Sequence, residues 1–299
     1  MIEYSTGRTA EKHHGRSRGS VAPGHDQRVM FLEVFRQGFG GPAQFQSAGE
    51  VLGKVDHAQK LTCGFFAQIT KLTTNGIVDG KDSGERDLVG VKEAKSRIED
   101  ELSDKDLSWD YEQVTGNVIN RIVSRAALAD LVVTGRAAHR SEFVGAGIAV
   151  LGDLLHRSRT PLFIPGEGGK PCDPTGPALV AWDGSYESAN AVRSALGMLA
   201  CASAVHVVQV EEEKETPFPG TRLLEYLSRH GIHAELTIEY EAELDRNFIP
   251  DTLVARAITV MASYLVMGGY NHSRLGQYVF GGVTRSMLSA SPIPLLIAH

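Results

Sequence analysis

The residues best suited to chemistry lie near the end of the chain, where glycines flank a polar loop. A short apolar run ends in the pair Gly268–Gly269, and the polar residues 270–274 follow it. A second pair, Gly281–Gly282, precedes a segment with the pattern of an amphipathic helix. A buried strand that runs into a glycine turn and a helix start is how α/β folds bind phosphate, because backbone N–H groups at the helix N-terminus point at the anion. The sequence therefore predicts a phosphate-binding turn in this segment.

Asp183 is the carboxylate best placed to complete such a site. It directly follows an apolar run, Ala178 to Trp182, that reads as a strand. Ligands of doubly wound sheets bind at the carboxyl ends of the strands, where the winding reverses. If the reversal lies between the first and fourth strands of this half, Asp183 and Gly268 flank one crevice. Asp183 is equally suited to a turn before a helix capped by Ser185, and the sequence leaves both roles open.

Nucleophilic and metal chemistry are disfavoured by the spacing of the residues that could perform it. Ser185 lies in no G-x-S-x-G elbow and has no evident His and acid partner, so capping is its predicted role. The segment Gly76 to Lys81 looks like a P-loop but has three residues between its glycines instead of four. The histidines and cysteines show no metal-ligand spacing. We therefore expect no catalytic residue, no metal site and no dedicated enzymatic activity.

Composition narrows the class of protein. The chain has 299 residues, a hydrophobic fraction of 42%, a charged fraction of 22% and a net charge of −6. These values are typical of a soluble globular protein of about two domains, and the negative charge gives no general attraction to nucleic acid or anionic membrane. No apolar run approaches the roughly 18 residues of a membrane helix, and three cysteines without CxxC spacing fit a reducing compartment. We expect a cytoplasmic protein that binds neither nucleic acid nor membrane.

The second half of the chain, residues 176–299, alternates between strand and helix patterns. Such alternation favours a parallel sheet with helices on both faces. Gly231 is a predicted helix stop, and Ser185 a predicted helix cap. Strands are predicted at 178–182, 204–210, 234–240, 264–267 and 295–298, and helices from Ser185 to about 200, at 221–229 and at 250–262.

Part of this half has a copy upstream. Residues 129–135 align with 262–268 at an offset of 133, and at the same offset Leu162–Ile164 aligns with Leu295–Ile297 without a gap. Such a match favours duplication, and the period favours two tandem α/β domains. The Gly- and Pro-rich residues 166–175 are the predicted linker, which sets the domains at 29–165 and 176–299.

The early part of the first copy does not follow the pattern. Strands are predicted at 29–35, 108–114 and 131–135 and helices at 84–102 and 118–128, but residues 29–83 allow no secure fold. Residues 1–28 mix Arg, Lys and His with Gly and Ser, which predicts a disordered tail. A nucleic-acid-binding arm is the alternative, disfavoured because no aromatic platform accompanies the basic residues.

Taken together, these motifs resemble the universal stress protein family in its tandem two-domain form. The resemblance covers residues 176–299 and, more weakly, 86–165, and it rests on Val180–Ser185, His206–Val208 and Met267–Thr284. It implies an α/β fold of two tandem, doubly wound, parallel five-stranded sheets. These sheets would be Rossmann-like, of the nucleotide-binding α-hydrolase-like kind, with the first copy degenerate.

The resemblance also implies which residues would bind a nucleotide. In nucleotide-binding members an Asp after the first strand and a Val on the second contact the nucleoside, and a glycine motif holds the phosphates. Carried over, Asp183 and Val207 would hold the adenosine end, while Gly268 and Gly281 match the first and third motif glycines.

Two positions depart from that motif. Asn271 stands at the second glycine, and Gly282 stands where a Ser or Thr is usual. Asn accepts a positive φ better than most residues but adds a side chain near the phosphate. Gly282 keeps a backbone N–H but no hydroxyl, and Thr284 lies two residues further on. In the first copy Ile148 and Ala149 take the later glycine positions, so we expect no nucleotide site there.

The function implied by the resemblance is a regulatory or protective role in stress, with ATP and Mg²⁺ sensed by the second domain. A homodimer or an intrachain pseudo-dimer would form through the last strands, and unidentified protein partners would read the state. The departures at Asn271 and Gly282 leave open a second hypothesis, a scaffold that binds no nucleotide. A weak ATPase is the third, disfavoured because no general base or Mg²⁺-binding carboxylate pair lies near the loop.

Overall fold

The computed structural model describes residues 27–35, 96, 99–100, 108–135, 144–166, 172–211, 218–240, 249–270 and 282–299. The predicted tail over residues 1–26, most of the predicted helix at 84–102 and half of the predicted linker lie outside these ranges. Asn271 and Gly281 of the candidate turn also lie outside them. No helix within the described ranges is long and apolar enough to cross a membrane.

Strands and helices alternate along the described chain. The first half contains β1 (Gln27–Phe35), β2 (Ser108–Gly116), α1 (Val118–Ala126), β3 (Val132–Val133), α2 (Val144–Ser158) and β4 (Leu162–Ile164). The second half contains β5 (Ala178–Trp182), α3 (Tyr186–Leu199), β6 (Val205–Glu211), α4 (Gly220–Arg229), β7 (Ala234–Tyr240), α5 (Ile249–Thr259), β8 (Tyr264–Gly268), α6 (Gly282–Ala290) and β9 (Leu295–Ala298).

The second half forms a doubly wound parallel sheet, as predicted. Its strands lie in the order β9-β8-β5-β6-β7, and every neighbouring pair is parallel. The chain winds outward from β5 through β6 to β7, then returns to place β8 on the other side of β5. The winding therefore reverses between the first and fourth strands of this half, which is the case in which Asp183 and Gly268 are expected to flank one crevice.

Helices cover both faces of the sheet because successive strand residues point to opposite sides. Along β5, the fully buried Val180 packs in the core with α3 and α4, whereas the fully buried Leu179 packs in the core with α2, α5 and α6. The result is a three-layer α/β/α arrangement with two apolar cores.

Two helices end in left-handed caps. After α4, Gly231 has φ 73° and Ile232 N–H donates to Leu227 O at 3.0 Å. After α5, Met261 has φ 51° and Ala262 N–H donates to Ala257 O at 2.7 Å. Both follow the Schellman pattern. The Gly231 stop is thus confirmed, but α5 ends three residues before the predicted end at 262, because Met261 takes a conformation that its residue type does not announce.

The first half contributes two strands, β3 and β4, to the same sheet and extends it to seven. β4 pairs antiparallel with β9, with Leu162 opposite Ile297, Phe163 opposite Leu296 and Ile164 opposite Leu295. At the offset of 133, Leu162 corresponds to Leu295 and Ile164 to Ile297. The pairing is therefore symmetric about Phe163 and Leu296, like the interface of a two-fold dimer. We call this pairing the seam.

Local contacts also repeat at the offset of 133. β3 pairs with β4 in the register Val132↔Leu162, and β8 pairs with β9 in the register Leu265↔Leu295. The Ser158 hydroxyl accepts from Thr160 N–H at 3.3 Å, and the Ser291 hydroxyl accepts from Ile293 N–H at 3.2 Å. At these described positions the two copies therefore share local structure as well as an aligned sequence.

The earlier strands of the first half pair in a different way. β1 begins at Gln27, inside the predicted tail, and pairs antiparallel with β2 in a separate two-stranded sheet. Both strands were predicted from their residue patterns, but strand partners are set by non-local contacts that such patterns do not contain. In the described part of the chain, the first copy thus adds two strands to the main sheet and not five.

Candidate functional site

The candidate site lies at the carboxyl ends of β5 and β8, which are neighbours in the sheet. Ala181 of β5 pairs with Met267 of β8. Gly268 directly follows Met267 and Asp183 lies two residues after Ala181, so the structure brings them to one edge. This edge is the switch point of the sheet, where doubly wound folds bind ligands.

Asp183 forms the turn into α3. Its Oδ1 accepts from the backbone N–H of Ser185 at 3.0 Å and from the hydroxyl of Ser185 at 2.6 Å. Gly184 between them has φ 71°, which glycine adopts without steric cost. The Ser185 hydroxyl in turn accepts from Ser188 N–H at 3.0 Å and caps the helix. The predicted capping role of Ser185 is confirmed, and the Asp183 side chain is exposed at the edge.

The Gly268–Gly269 pair lets the end of β8 pass close to two helices. A Cβ on Gly268 would lie 2.5 Å from Ser188 N and 2.8 Å from the carbonyl carbon of Glu187, in the first turn of α3. A Cβ on Gly269 would lie 2.7 Å from Leu155 Cδ2 of α2. Packing against backbone therefore requires glycine at 268, whereas the neighbours of Gly269 are side-chain atoms that can shift.

Tyr270 and Thr284 hold the two ends of the candidate turn together. Tyr270 has φ 71°, and its backbone N–H lies 3.5 Å from the Thr284 hydroxyl that accepts from it. Thr284 is buried on α6. Desolvation by burial raises the pKa of the Tyr270 phenol, which keeps it neutral. Tyr270 and Thr284, at the two ends of the candidate turn, are therefore joined by this hydrogen bond.

Gly282 begins α6 in open space. It is exposed, and a Cβ on it would meet nothing within 4 Å. Backbone N–H groups in the first turn of a helix lack intrahelical partners and carry the positive end of its dipole. A serine or threonine side chain would therefore fit at this position without displacing a neighbour.

Val207 lies away from the edge. Its side chain is fully buried in the core, and it pairs with Val180 on one side and Leu236 on the other. The structure therefore does not place the Val207 side chain beside Asp183.

Gln209 of β6 lies opposite Trp182, the last residue of β5. Its buried Oε1 accepts from Gly220 N–H at 2.6 Å, and Trp182 Nε1–H donates to Phe218 O at 2.8 Å. These two side chains fix the start of α4 beside the candidate edge. A glutamine between the apolar residues Val208 and Val210 was the sequence signal that could have drawn attention to this role.

The first copy reaches the candidate edge through α2. The rings of His156 and His299 lie 5.3 Å apart, and His299 Nδ1 lies 3.1 Å from Gly269 O. Asn190 of α3 donates to the carbonyl of His299 at 2.8 Å. Sequence reasoning missed this group because its members lie far apart in the chain. Within the described ranges, no group of three or more His, Cys, Asp or Glu residues could hold a metal ion.

Comparison with known proteins gives a match over the second half of the chain. The model of the universal stress protein family matches residues 175–299. A solved universal stress protein from Archaeoglobus fulgidus DSM 4304 superposes with a TM-score of 0.54 at 16% identity, over 80% of this chain and 90% of that one. At this identity the likeness establishes the fold alone.

A second solved structure covers a smaller share of the chain. A protein of the universal stress protein family from Burkholderia pseudomallei is 23% identical over 42% of this chain and 98% of its own length, with a TM-score of 0.31. No curated protein matches.

Proposed function

Since residues 175–299 form a domain of the universal stress protein family, we propose that this protein has a regulatory or protective role exerted through adenine-nucleotide sensing at the edge that carries Asp183, Gly268 and Gly282. The family assignment itself supports a stress-related role. The binding of an adenine nucleotide is the part of the proposal that goes beyond the family assignment.

The observation that carries the proposal is the open start of α6 at the switch point. Gly282 is exposed with free space around it, while Asp183 is exposed on the neighbouring strand end. An anionic phosphate is stabilised at a helix N-terminus by backbone N–H groups and the helix dipole. A carboxylate is a strong acceptor for a ribose hydroxyl. The two ends of a nucleotide thus have chemically suited neighbours, one after the end of β5 and one at the start of α6.

Each residue of this chain has a stated part in the proposal. Gly282 would offer its N–H to phosphate, and Asp183 would accept from the nucleoside. Tyr270 and Thr284 would position the turn through the bond between them. Bound Mg²⁺ would supply charge neutralisation of the phosphates. The buried Val207 side chain takes no part, and no residue is assigned a catalytic role.

We further propose that the first copy serves as an intrachain partner of the second, in the manner of a pseudo-dimer. The symmetric register of the seam and the repeated contacts at Ser158 and Ser291 support this arrangement. Because α2 contacts Gly269 and His299, a conformational change in the turn would be transmitted to α2 of the first copy.

A scaffold that binds no nucleotide is the second candidate function. The specific observation in its favour is the packing of Gly268 against the backbone of α3, which explains this glycine without a ligand. The departure from the family motif at Gly282 points the same way.

Calorimetric titration of ATP with Mg²⁺ into the full chain tests the proposal. We expect saturable binding near one site per chain. Asp183→Ala should abolish binding, whereas Asp183→Asn, which keeps an oxygen to accept from Ser185, controls for loss of the turn. An absence of heat at millimolar ATP would contradict nucleotide sensing.

Restoring the family motif separates the two candidates. The double variant Asn271→Gly with Gly282→Ser has room at position 282. If the native chain binds no ATP and the double variant does, the native site has decayed and the scaffold function stands. Equal binding by both chains supports sensing.

A further inference from the structure

Four exposed arginines lie together on the helices of the first copy. Arg121 and Arg125 lie one turn apart on α1, while Arg157 and Arg159 lie at the end of α2 and just after it. All four are exposed. We call this group the arginine patch. The group carries four positive charges on a chain whose net charge is −6.

Two hydrogen bonds join α1 to the end of α2 and to the residues that follow it. Arg157 Nη2 donates to Asn120 Oδ1 at 2.8 Å. The buried Thr160 hydroxyl donates to the carbonyl of Ala126 at 2.8 Å. These bonds hold the end of α2 against α1. Arg157 is bonded to the residue before Arg121, and the residue after Arg159 is bonded to the residue after Arg125.

Helix stability accounts for only half of the patch. Arg125 and Arg157 lie in the last turns of their helices, where a cation complements the dipole. Arg121 lies in the N-terminal half of α1, where the dipole gives a cation no support, and it repels Arg125 at the i,i+4 spacing. Arg159 has φ 56°, a conformation that costs a non-glycine residue about 1 kcal/mol or more. The stability of the fold therefore does not explain why arginine occupies positions 121 and 159.

The second copy shows that this fold does not need the charges. At the offset of 133, the positions of the four arginines are occupied by residues without charge. These are Val254, Ile258, Ala290 and Pro292. The aligned positions are therefore basic in one half of the chain and neutral in the other.

An exposed leucine adjoins the patch. Leu128 lies three residues beyond Arg125, just after α1, and its side chain is 99% exposed. An apolar side chain beside several arginines offers a contact that charge alone would not use. Interface centres commonly combine apolar anchors with arginine.

We propose that the arginine patch and Leu128 form a docking surface for an acidic segment of a partner protein, in which carboxylates meet the arginines and an apolar residue meets Leu128. Arginine binds carboxylates through two parallel hydrogen bonds. A nucleic acid fits less well, because the patch offers no aromatic residue on which a base could stack. One leucine is also too little apolar surface for stable membrane binding.

The docking surface borders the candidate edge of the second copy. Since β4 and β9 are antiparallel, Arg159 precedes the start of β4 at the sheet edge where β9 ends. His156, beside Arg157, contacts His299 at that edge. The inference stands whether or not a nucleotide binds there.

Fluorescence anisotropy of a labelled peptide, built from pairs of glutamates separated by single leucines, tests the inference with the full chain. We expect salt-sensitive binding that weakens about tenfold or more when Arg121, Arg125, Arg157 and Arg159 are all changed to Gln. The matched control changes Arg193, Arg222 and Arg285, exposed arginines of the second copy, and should leave the affinity unchanged.

Two single variants separate docking from folding. Arg159→Gly relieves the left-handed backbone, so its unfolding midpoint should hold or rise while peptide affinity falls severalfold. Leu128→Ser should weaken the glutamate–leucine peptide severalfold and leave binding of a leucine-free polyglutamate unchanged.

Three outcomes would overturn the inference. The first is no peptide binding. The second is peptide binding that the four-arginine variant retains. The third is tighter binding of single-stranded oligonucleotide or anionic phosphatidylserine vesicles than of the peptide, lost in the four-arginine variant.

Discussion

Gly268 and Gly282 border the same turn, but the space around them differs. Backbone atoms of α3 surround the position of a Cβ on Gly268 at 2.5 to 3.0 Å, whereas a Cβ on Gly282 would meet nothing within 4 Å. Backbone cannot move aside as a flexible side chain can. At the residue scale, Gly268 is therefore part of the packing and Gly282 is part of the accessible edge.

These two glycines form a matched pair for mutation. We expect Gly268→Ala to lower the free energy of unfolding by about 1–3 kcal/mol, since the methyl group forces β8 from α3. Gly282→Ala should leave it unchanged or raise it by up to about 1 kcal/mol, because alanine is the better helix former. Urea unfolding of both variants measures this difference, and equal destabilisation would contradict the packing role of Gly268.

Cys172 gives the stability of the fold a dependence on pH. Burial, with a further contribution from the charge of Asp173, raises the pKa of this thiol from 9.0 to about 12. The unfolded chain releases the proton near pH 9 while the folded chain keeps it, so stability falls as pH rises from about 9 to 12, by up to about 1.4 kcal/mol per pH unit. Unfolding of Cys172→Ala across this range should show a shallower loss. A parallel loss in both chains would count against the assignment.

At the element scale, the second half of the chain was predictable because its local signals agree with one another. The bounds of β5, β7 and β9 match the prediction, and Ser185 and Gly231 mark helix ends by their residue types. Such agreement between local and global preference is typical of a fold with one stable arrangement.

The rest was not predictable, for physical reasons that differ from element to element. The end of α5 depends on the left-handed Met261, and the partner of β1 depends on a strand distant in the chain. In the candidate site, Asp183 and Gly268 could be placed at the carboxyl ends of strands because each directly follows a predicted strand. The contacts of His156 and Gln209 required the fold itself, since they join elements that are not consecutive.

Gln209 is the side chain that fixes the start of α4. In Gln209→Leu, the buried N–H of Gly220 loses its acceptor, which should cost about 1–3 kcal/mol. Thermal unfolding measures the loss, and hydrogen exchange should show faster opening at the start of α4 than in α3. A variant as stable as the native chain would mean that another acceptor replaces the amide.

At the scale of the whole molecule, the seam joins the two halves. Phe163 and Leu296 are opposite each other, both essentially buried, in the core shared with α3. We expect Phe163→Ala and Leu296→Ala each to cost about 2–5 kcal/mol. Because they share one contact, a double-mutant cycle should give a coupling of about 0.5–3 kcal/mol. Additive losses would show that the halves fold without this contact.

The seam also occupies the outer edge of β9 within the chain. A fragment of residues 172–299 would leave that edge unpaired, and unpaired edges recruit other strands. We expect the fragment to associate into dimers with rising concentration in sedimentation velocity, while the full chain does not associate through this edge. A fragment that stays monomeric would contradict this expectation.

The residues at the centre of the seam are unlike, phenylalanine against leucine. Two identical subunits cannot arrange this, since a residue on a two-fold axis always meets its own copy. In a dimer of identical subunits, any substitution there would appear in both subunits at once. A large side chain on one subunit could therefore not be paired with a small one on the other. Within one polypeptide each side is inherited separately, so an increase in volume on one strand can be met by a decrease on the other. Joining the halves therefore gives each the freedom to change alone, and the basic surface carried by only one of them is what such freedom permits.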